Sequence, residues 1–96
     1  MTDFCITAVR YHTTGSHIEY VIVNEEKPGE IGSNRTVARA FVADLIRMKK
    51  ATFQTRIKTA DGKFRVGAAV HVIDGEYLTT DPNRTERDNL GSLPRF

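Results

Sequence analysis

Asp3-Phe4-Cys5-Ile6-Thr7-Ala8-Val9-Arg10-Tyr11 is dense in β-branched and aromatic side chains and alternates with period two, so it reads as a strand. Phe4, Ile6 and Ala8 fall on one face, and Cys5, Thr7 and Val9 on the other. The turn formers Thr13-Thr14-Gly15-Ser16 follow, and then a second run, Ile18-Glu19-Tyr20-Val21-Ile22-Val23. Two such runs across a short glycine-containing loop predict an antiparallel hairpin.

Residues 25–32 break the alternation with charge and with the Pro28-Gly29 punctuator, which marks a loop. Ser33 or Asn34 offers a side-chain oxygen to cap a helix. Over residues 35–50, Val37, Phe41, Val42, Leu45 and Met48 recur at helical spacing. Arg47, Lys49 and Lys50 close that helix with the sign its dipole favours. Strand character returns in Thr52-Phe53-Gln54-Thr55-Arg56-Ile57-Lys58, with Phe53, Thr55 and Ile57 inward. Asp61-Gly62 is a strong hairpin signal, Phe64-Arg65-Val66 follows, Gly67 interrupts, and Val70-His71-Val72-Ile73 resumes. Asp74-Gly75 leads into Tyr77-Leu78-Thr79-Thr80.

The expected fold is α+β: one helix packed on a mostly antiparallel sheet in two layers, in the order β-β-α-β-β-β, with an irregular C-terminal segment. In that segment Thr85 and Asp88 are spaced to cap a single helical turn. Leu90, Leu93, Pro94 and Phe96 are apolar enough to lie against the core and finish it. The expected core is Phe4, Ile6, Ile18, Ile22, Val37, Phe41, Leu45, Phe53, Ile57, Val70, Val72, Leu90 and Leu93. Truncating Phe41 to alanine would then cost about 3–5 kcal/mol.

Ninety-six residues, 40% apolar and 27% charged, make a single domain spanning 1–96 with a core of its own. The longest apolar runs fall well short of the roughly 18 residues of a membrane-spanning helix. Met1-Thr2-Asp3-Phe4 lacks the basic-then-apolar order of a secretory leader. A lone cysteine, Cys5, forms no internal disulfide, which points to the cytoplasm.

The ends of the chain carry a recognisable pattern: Ile6-Thr7-Ala8-Val9-Arg10-Tyr11, Tyr77-Leu78-Thr79-Thr80-Asp81 and Asp88-Asn89-Leu90-Gly91-Ser92-Leu93-Pro94-Arg95-Phe96. In this order they resemble the bacterial family known as domain of unknown function 3892, across nearly the whole chain. The resemblance implies one small domain of bacterial or phage type and supplies no activity. The family pattern usually has Arg where this chain has Thr79, so an anion-binding role tied to that Arg does not carry over.

Catalytic motifs are sparse. Cys5 is the one possible thiol nucleophile, yet it sits inside a strand between Phe4 and Ile6, where burial suits it better than reactivity. His12 and His17 flank the first hairpin loop and could approach each other across it, with Asp3 or Glu19 as further ligands. Their spacing matches no zinc motif. A small enzyme or metal-binding protein around Cys5, His12 and His17 is therefore the alternative reading. His71 alternates with Val70 and Val72, which places it on the outer face. The sequence has no G-x-S-x-G, P-loop, dinucleotide fingerprint or H-E-x-x-H, and so calls for no cofactor.

Charge placement carries more information than any motif. Residues 1–30 hold two cations against five carboxylates, a net −3. Residues 31–72 hold nine cations against Asp44 and Asp61, a net +7. Residues 73–96 hold three against five, a net −2, and the three parts recover the overall +2. A non-enzymatic accessory or binding module follows, using Arg47, Lys49, Lys50, Arg56, Lys58, Lys63 and Arg65 on an acidic protein or a nucleic acid. The competing view is a solvated surface neutralised in space by the acidic ends. Edge strands of an open sheet add self-association as a third possibility.

Overall fold

A computed structural model describes residues 2–13, 17–27, 30–73, 77–80 and 93–96. Its strands are β1 (Phe4–Tyr11), β2 (Ile18–Lys27), β3 (Glu30–Ile31), β4 (Arg35–Ala38), β5 (Phe53–Lys58), β6 (Phe64–Ala69), β7 (His71–Ile73) and β8 (Tyr77–Thr79), with one helix, α1 (Arg39–Arg47), between β4 and β5. The protein is thus α+β and dominated by a curled sheet. Its described element order, ββββαββββ, is richer than the six-element order expected. The expected capping turn around Thr85 and Asp88, the Asp74-Gly75 turn and Leu90 lie outside the described residues.

The first hairpin forms: β1 and β2 are antiparallel, from Phe4 opposite Glu25 to Tyr11 opposite Ile18. However, β2 runs on through Lys27 and pairs with β3, so residues 25–27 and 30–31 are strand where a loop was expected. The large sheet runs β3-β2-β1-β5-β6, with β4 also paired to β2, and β7 and β8 form a separate two-stranded ribbon. One pairing is parallel. β5 lies beside β1 over Phe4–Ile6 and Phe53–Thr55 only.

The helix is shorter than its apolar periodicity suggests. Arg35–Ala38 is strand, paired with β2 from Val23 opposite Arg35 to Tyr20 opposite Ala38. Free ladder positions on β2 and the β-branched pair Thr36-Val37 explain why extended backbone wins there. Helix capping also differs from expectation. Ala38 is the N-cap and supplies no side-chain bond. The Asn34 amide oxygen instead accepts 2.6 Å from Asn24 Nδ2.

Starting at Arg39 rotates the buried stripe toward Val42 and Ala43, flanked by half-buried Leu45 and Ile46. Phe41, expected in the core, is 55% exposed. Ile57 is 38% exposed, because β5 has left β1 by that point. The core comprises Ile6, Val9, Ile18, Val21, Val23, Val42, Ala43, Phe53, Val70, Leu78 and Leu93. Phe4, Val37, Leu45 and Val72 pack partly buried against it.

The opposite face of the β1–β2–β5 sheet is polar. Cys5 lies between Asn24 on β2 and Gln54 on β5. Thr7 donates its hydroxyl to Asn24 Oδ1 at 2.9 Å, and Asn24 Nδ2 also donates to Gly32 O at 3.0 Å. Among the described residues no buried side-chain polar atom is left unpaired.

Candidate functional site

The β5–β6 hairpin is built around its turn. Gly62 takes φ 83 and donates its N–H to Thr59 O, while Thr59 N–H donates to Lys63 O at 2.8 Å. Of the Asp61-Gly62 pair, only Gly62 adopts positive φ. Asp61 accepts from the Thr59 hydroxyl and from Lys63 N–H, and these bonds, the first above all, hold its carboxyl below the usual range.

Beyond Thr55 this hairpin stands clear of β1. The β1 edge that β5 leaves open is taken by the C-terminal segment instead: Val9 N–H donates to Pro94 O at 2.9 Å, and Phe96 N–H to Val9 O at 3.0 Å. The Arg10 guanidinium lies over the Phe96 ring and that of Arg95 over Tyr11, 4.1 Å from its centroid. Of the four apolar residues expected to finish the core, Leu93 is buried, Pro94 and Phe96 are exposed because they bond along the β1 edge rather than under it, and Leu90 lies outside the described residues.

The result is a two-stranded ribbon, residues 56–66, carrying four of the seven expected site residues. Lys58, Lys63 and Arg65 are exposed, and no described carboxylate lies within 4 Å of their charges. Arg56 differs. Its Nε lies 2.8 Å from Glu26 Oε1, its Nη1 donates to Phe64 O, and Gln54 Nε2 donates to the same carboxylate. With side-chain exposures of 22% and 9%, Arg56 and Glu26 form a largely buried pair that ties β5 to β2.

The other three expected residues cluster around the C-terminus of α1. Arg47 is bonded to Asp44 Oδ1 at 2.8 Å. Lys49 and Lys50 line an open cleft of about 510 Å³ together with Asp3, Thr52 and His71. From Phe53 to Lys58 the strand advances roughly 17 Å. The structure therefore places the cations in two groups, one at each end of β5.

His12 and His17 do meet. Their rings stack at 5.2 Å, His12 N–H donates to His17 O, and Glu19 Oε2 lies 3.8 Å from His12 Nε2. Cys5 is seven residues back along β1, roughly 23 Å away. Cys5, His12 and His17 thus do not share a site, and no three His, Cys, Asp or Glu among the described residues gather as metal ligands. Burial, helped by the Glu26 carboxylate and opposed by Arg56, pushes the Cys5 thiol up to about 11. The reactive thiolate is correspondingly scarce near neutral pH.

A family model described as Protein of unknown function (DUF3892) matches residues 5–94. The chain belongs to the DUF3892 family. A search of curated proteins finds no match, and neither does a search of solved structures. In this DUF3892 chain Thr79 is buried on β8 opposite His71. No described helix of the DUF3892 chain is long and apolar enough to cross a membrane.

Two features of the site escaped sequence reading. The Glu26–Arg56 pair joins residues thirty positions apart, and no local pattern announces it. The corner at Lys49 has a weak signal: a helix ending without glycine, followed by two lysines.

Proposed function

We propose that this protein is a non-catalytic binding module whose β5–β6 ribbon engages the phosphate backbone of duplex nucleic acid. The observation behind this reading is the ribbon's departure from β1 after Thr55, which leaves Lys58, Lys63 and Arg65 exposed with no described carboxylate within 4 Å of their charges. A two-stranded ribbon has the width to enter a major groove. Lys58 and Arg65 sit at neighbouring register positions and alternate in face, since Lys58 pairs with Phe64 and Ile57 with Arg65. The ribbon's one aromatic residue, Phe64, is half-buried, and a single ring favours duplex phosphates over a run of stacked single-stranded bases.

An acidic protein would meet the same cations. Self-association through the outer edge of β6 is opposed by Arg65 and by the register shift opposite Gln54 and Arg56, both devices that blunt an edge.

Fluorescence anisotropy with a short mixed-sequence duplex tests the proposal. Three phosphate contacts predict a slope near −2.7 for log K against log salt. The triple variant Lys58→Gln/Lys63→Gln/Arg65→Gln should lose binding while keeping its melting temperature. Duplex binding with no salt dependence, or binding retained by the triple variant, would refute the proposal. Binding of poly-glutamate without binding of the duplex would replace nucleic acid with an acidic protein.

A further inference from the structure

The cleft at the C-terminus of α1 is independent of the ribbon and has a different construction. Its walls are the segment before β1, the end of α1, the start of β5, and the junction of β6 and β7. At about 510 Å³ it falls in the size range of small-molecule sites. Ile46, Ala51, Phe53 and Val70 give it an apolar side, and Lys49, Lys50 and His71 a side rich in donors.

The backbone at these lysines is fixed. Lys49 N–H donates to Ile46 O at 3.0 Å and Lys50 N–H to Leu45 O at 2.9 Å, the paired bonds of a Schellman helix end. Lys49 occupies the left-handed position of that motif, at φ 58, where glycine is preferred. The sequence places an ammonium group where the backbone would favour no side chain at all. Val70 N–H donates to Phe53 O at 2.9 Å, which holds the neighbouring His71 beside the cleft.

The acid on the wall is already engaged. Asp3 Oδ2 accepts from Thr52 N–H at 2.8 Å and from the Thr52 hydroxyl at 2.9 Å. No described carboxylate lies within 4 Å of the Lys49 or Lys50 amine.

The geometry points to a small-molecule site for a phosphomonoester, its phosphate held by Lys49, Lys50 and His71 and its organic part resting against Ile46, Ala51 and Val70. A dianionic head group meets two point charges and a ring N–H there, and the apolar wall rewards an attached carbon skeleton. The ligand is a free small molecule, because the site is a concave cleft with one polar and one apolar side.

Amide chemical-shift titration of the full chain tests this, with inorganic phosphate and phenyl phosphate as probes. Saturable shifts are expected at residues 49–52 and at His71, with phenyl phosphate binding about tenfold tighter than phosphate through the buried ring. Lys49→Gly removes the amine and relieves the left-handed backbone, so it should melt at or above the wild-type temperature. Lys49→Gly and Lys50→Gln should each weaken phenyl phosphate about tenfold, the loss of one charge-assisted contact. The ribbon triple variant should bind phenyl phosphate like wild type, which separates failure of this site from failure of the ribbon. Shifts that do not saturate, equal affinity for the two probes, undiminished binding in Lys49→Gly, or loss of binding in the ribbon variant would each overturn the assignment.

Discussion

Gly67→Ala is the substitution whose cost the geometry sets most directly. A Cβ added at Gly67 would sit 2.3 Å from Thr55 Oγ1 and 3.3 Å from Thr55 O. Backbone strain is not the cause, since Gly67 does not lie in the left-handed region. The buried Thr55 hydroxyl must move by about 1 Å to reach an ordinary carbon–oxygen separation. In moving it gives up the bond it accepts from Ala68 N–H at 3.0 Å, at the point where the β5–β6 register shifts. Leaving that N–H without its partner costs about 1–3 kcal/mol, and the overlap adds a comparable amount. A total near 3 kcal/mol corresponds to a fall in melting temperature on the order of 12–24 °C for a domain of this size. Urea denaturation in a double-mutant cycle with Thr55→Ala isolates the contact. Without the hydroxyl the next nearest atoms lie at 3.3 and 3.5 Å, so Gly67→Ala should then cost under about 1 kcal/mol. An identical penalty in both backgrounds, or a single variant within about 0.5 kcal/mol of wild type, would refute the reasoning.

The remaining predictions concern charge and burial. Glu26→Gln breaks the largely buried pair with Arg56 and should cost about 2–3 kcal/mol by chemical denaturation, somewhat below the full penalty for a completely buried pair. The same variant should lower the Cys5 thiol pKa, because the Glu26 carboxylate helps to raise it; an alkylation profile against pH reads this out. Cys5 goes from an ordinary 9.0 to about 11 on folding, so its contribution is fully present below pH 9.0 and is lost as pH rises toward 11. Cys5→Ala should therefore flatten the alkaline fall in stability. Phe41→Ala should cost under about 1 kcal/mol in thermal denaturation, because the ring is mostly in water already.

Some of the architecture was legible from short stretches. The alternation in residues 3–11 and 18–23 gave a hairpin, and Asp61-Gly62 gave another, because strand period and turn chemistry are decided within a few residues. At the closing segment the apolar pattern told truly for Leu93 and not for Pro94 or Phe96, which stay exposed on the β1 edge. Periodicity misled at residues 35–38, where Val37 fits a helical stripe equally well as a strand. The free edge of β2 settled that choice, and with it the exposure of Phe41. The histidine pair was anticipated as an approach across a loop, while the distance from it to Cys5 follows from their places along one extended strand.

The basic middle of the chain was equally visible, yet composition assigns every cation the same weight. By itself the sequence determined the family, the α+β class, the strand-rich course of the chain and a middle third with nine basic side chains. Folding alone sets Arg56 against Glu26, Arg47 against Asp44 and Arg39 against the Ile18 carbonyl, and sends Lys49, Lys50, Lys58, Lys63 and Arg65 to a cleft and a ribbon. The reason is range. Helix and strand signals act between neighbours, whereas a charge is neutralised or left free by whatever residue folding brings within a few ångströms, from anywhere in the chain.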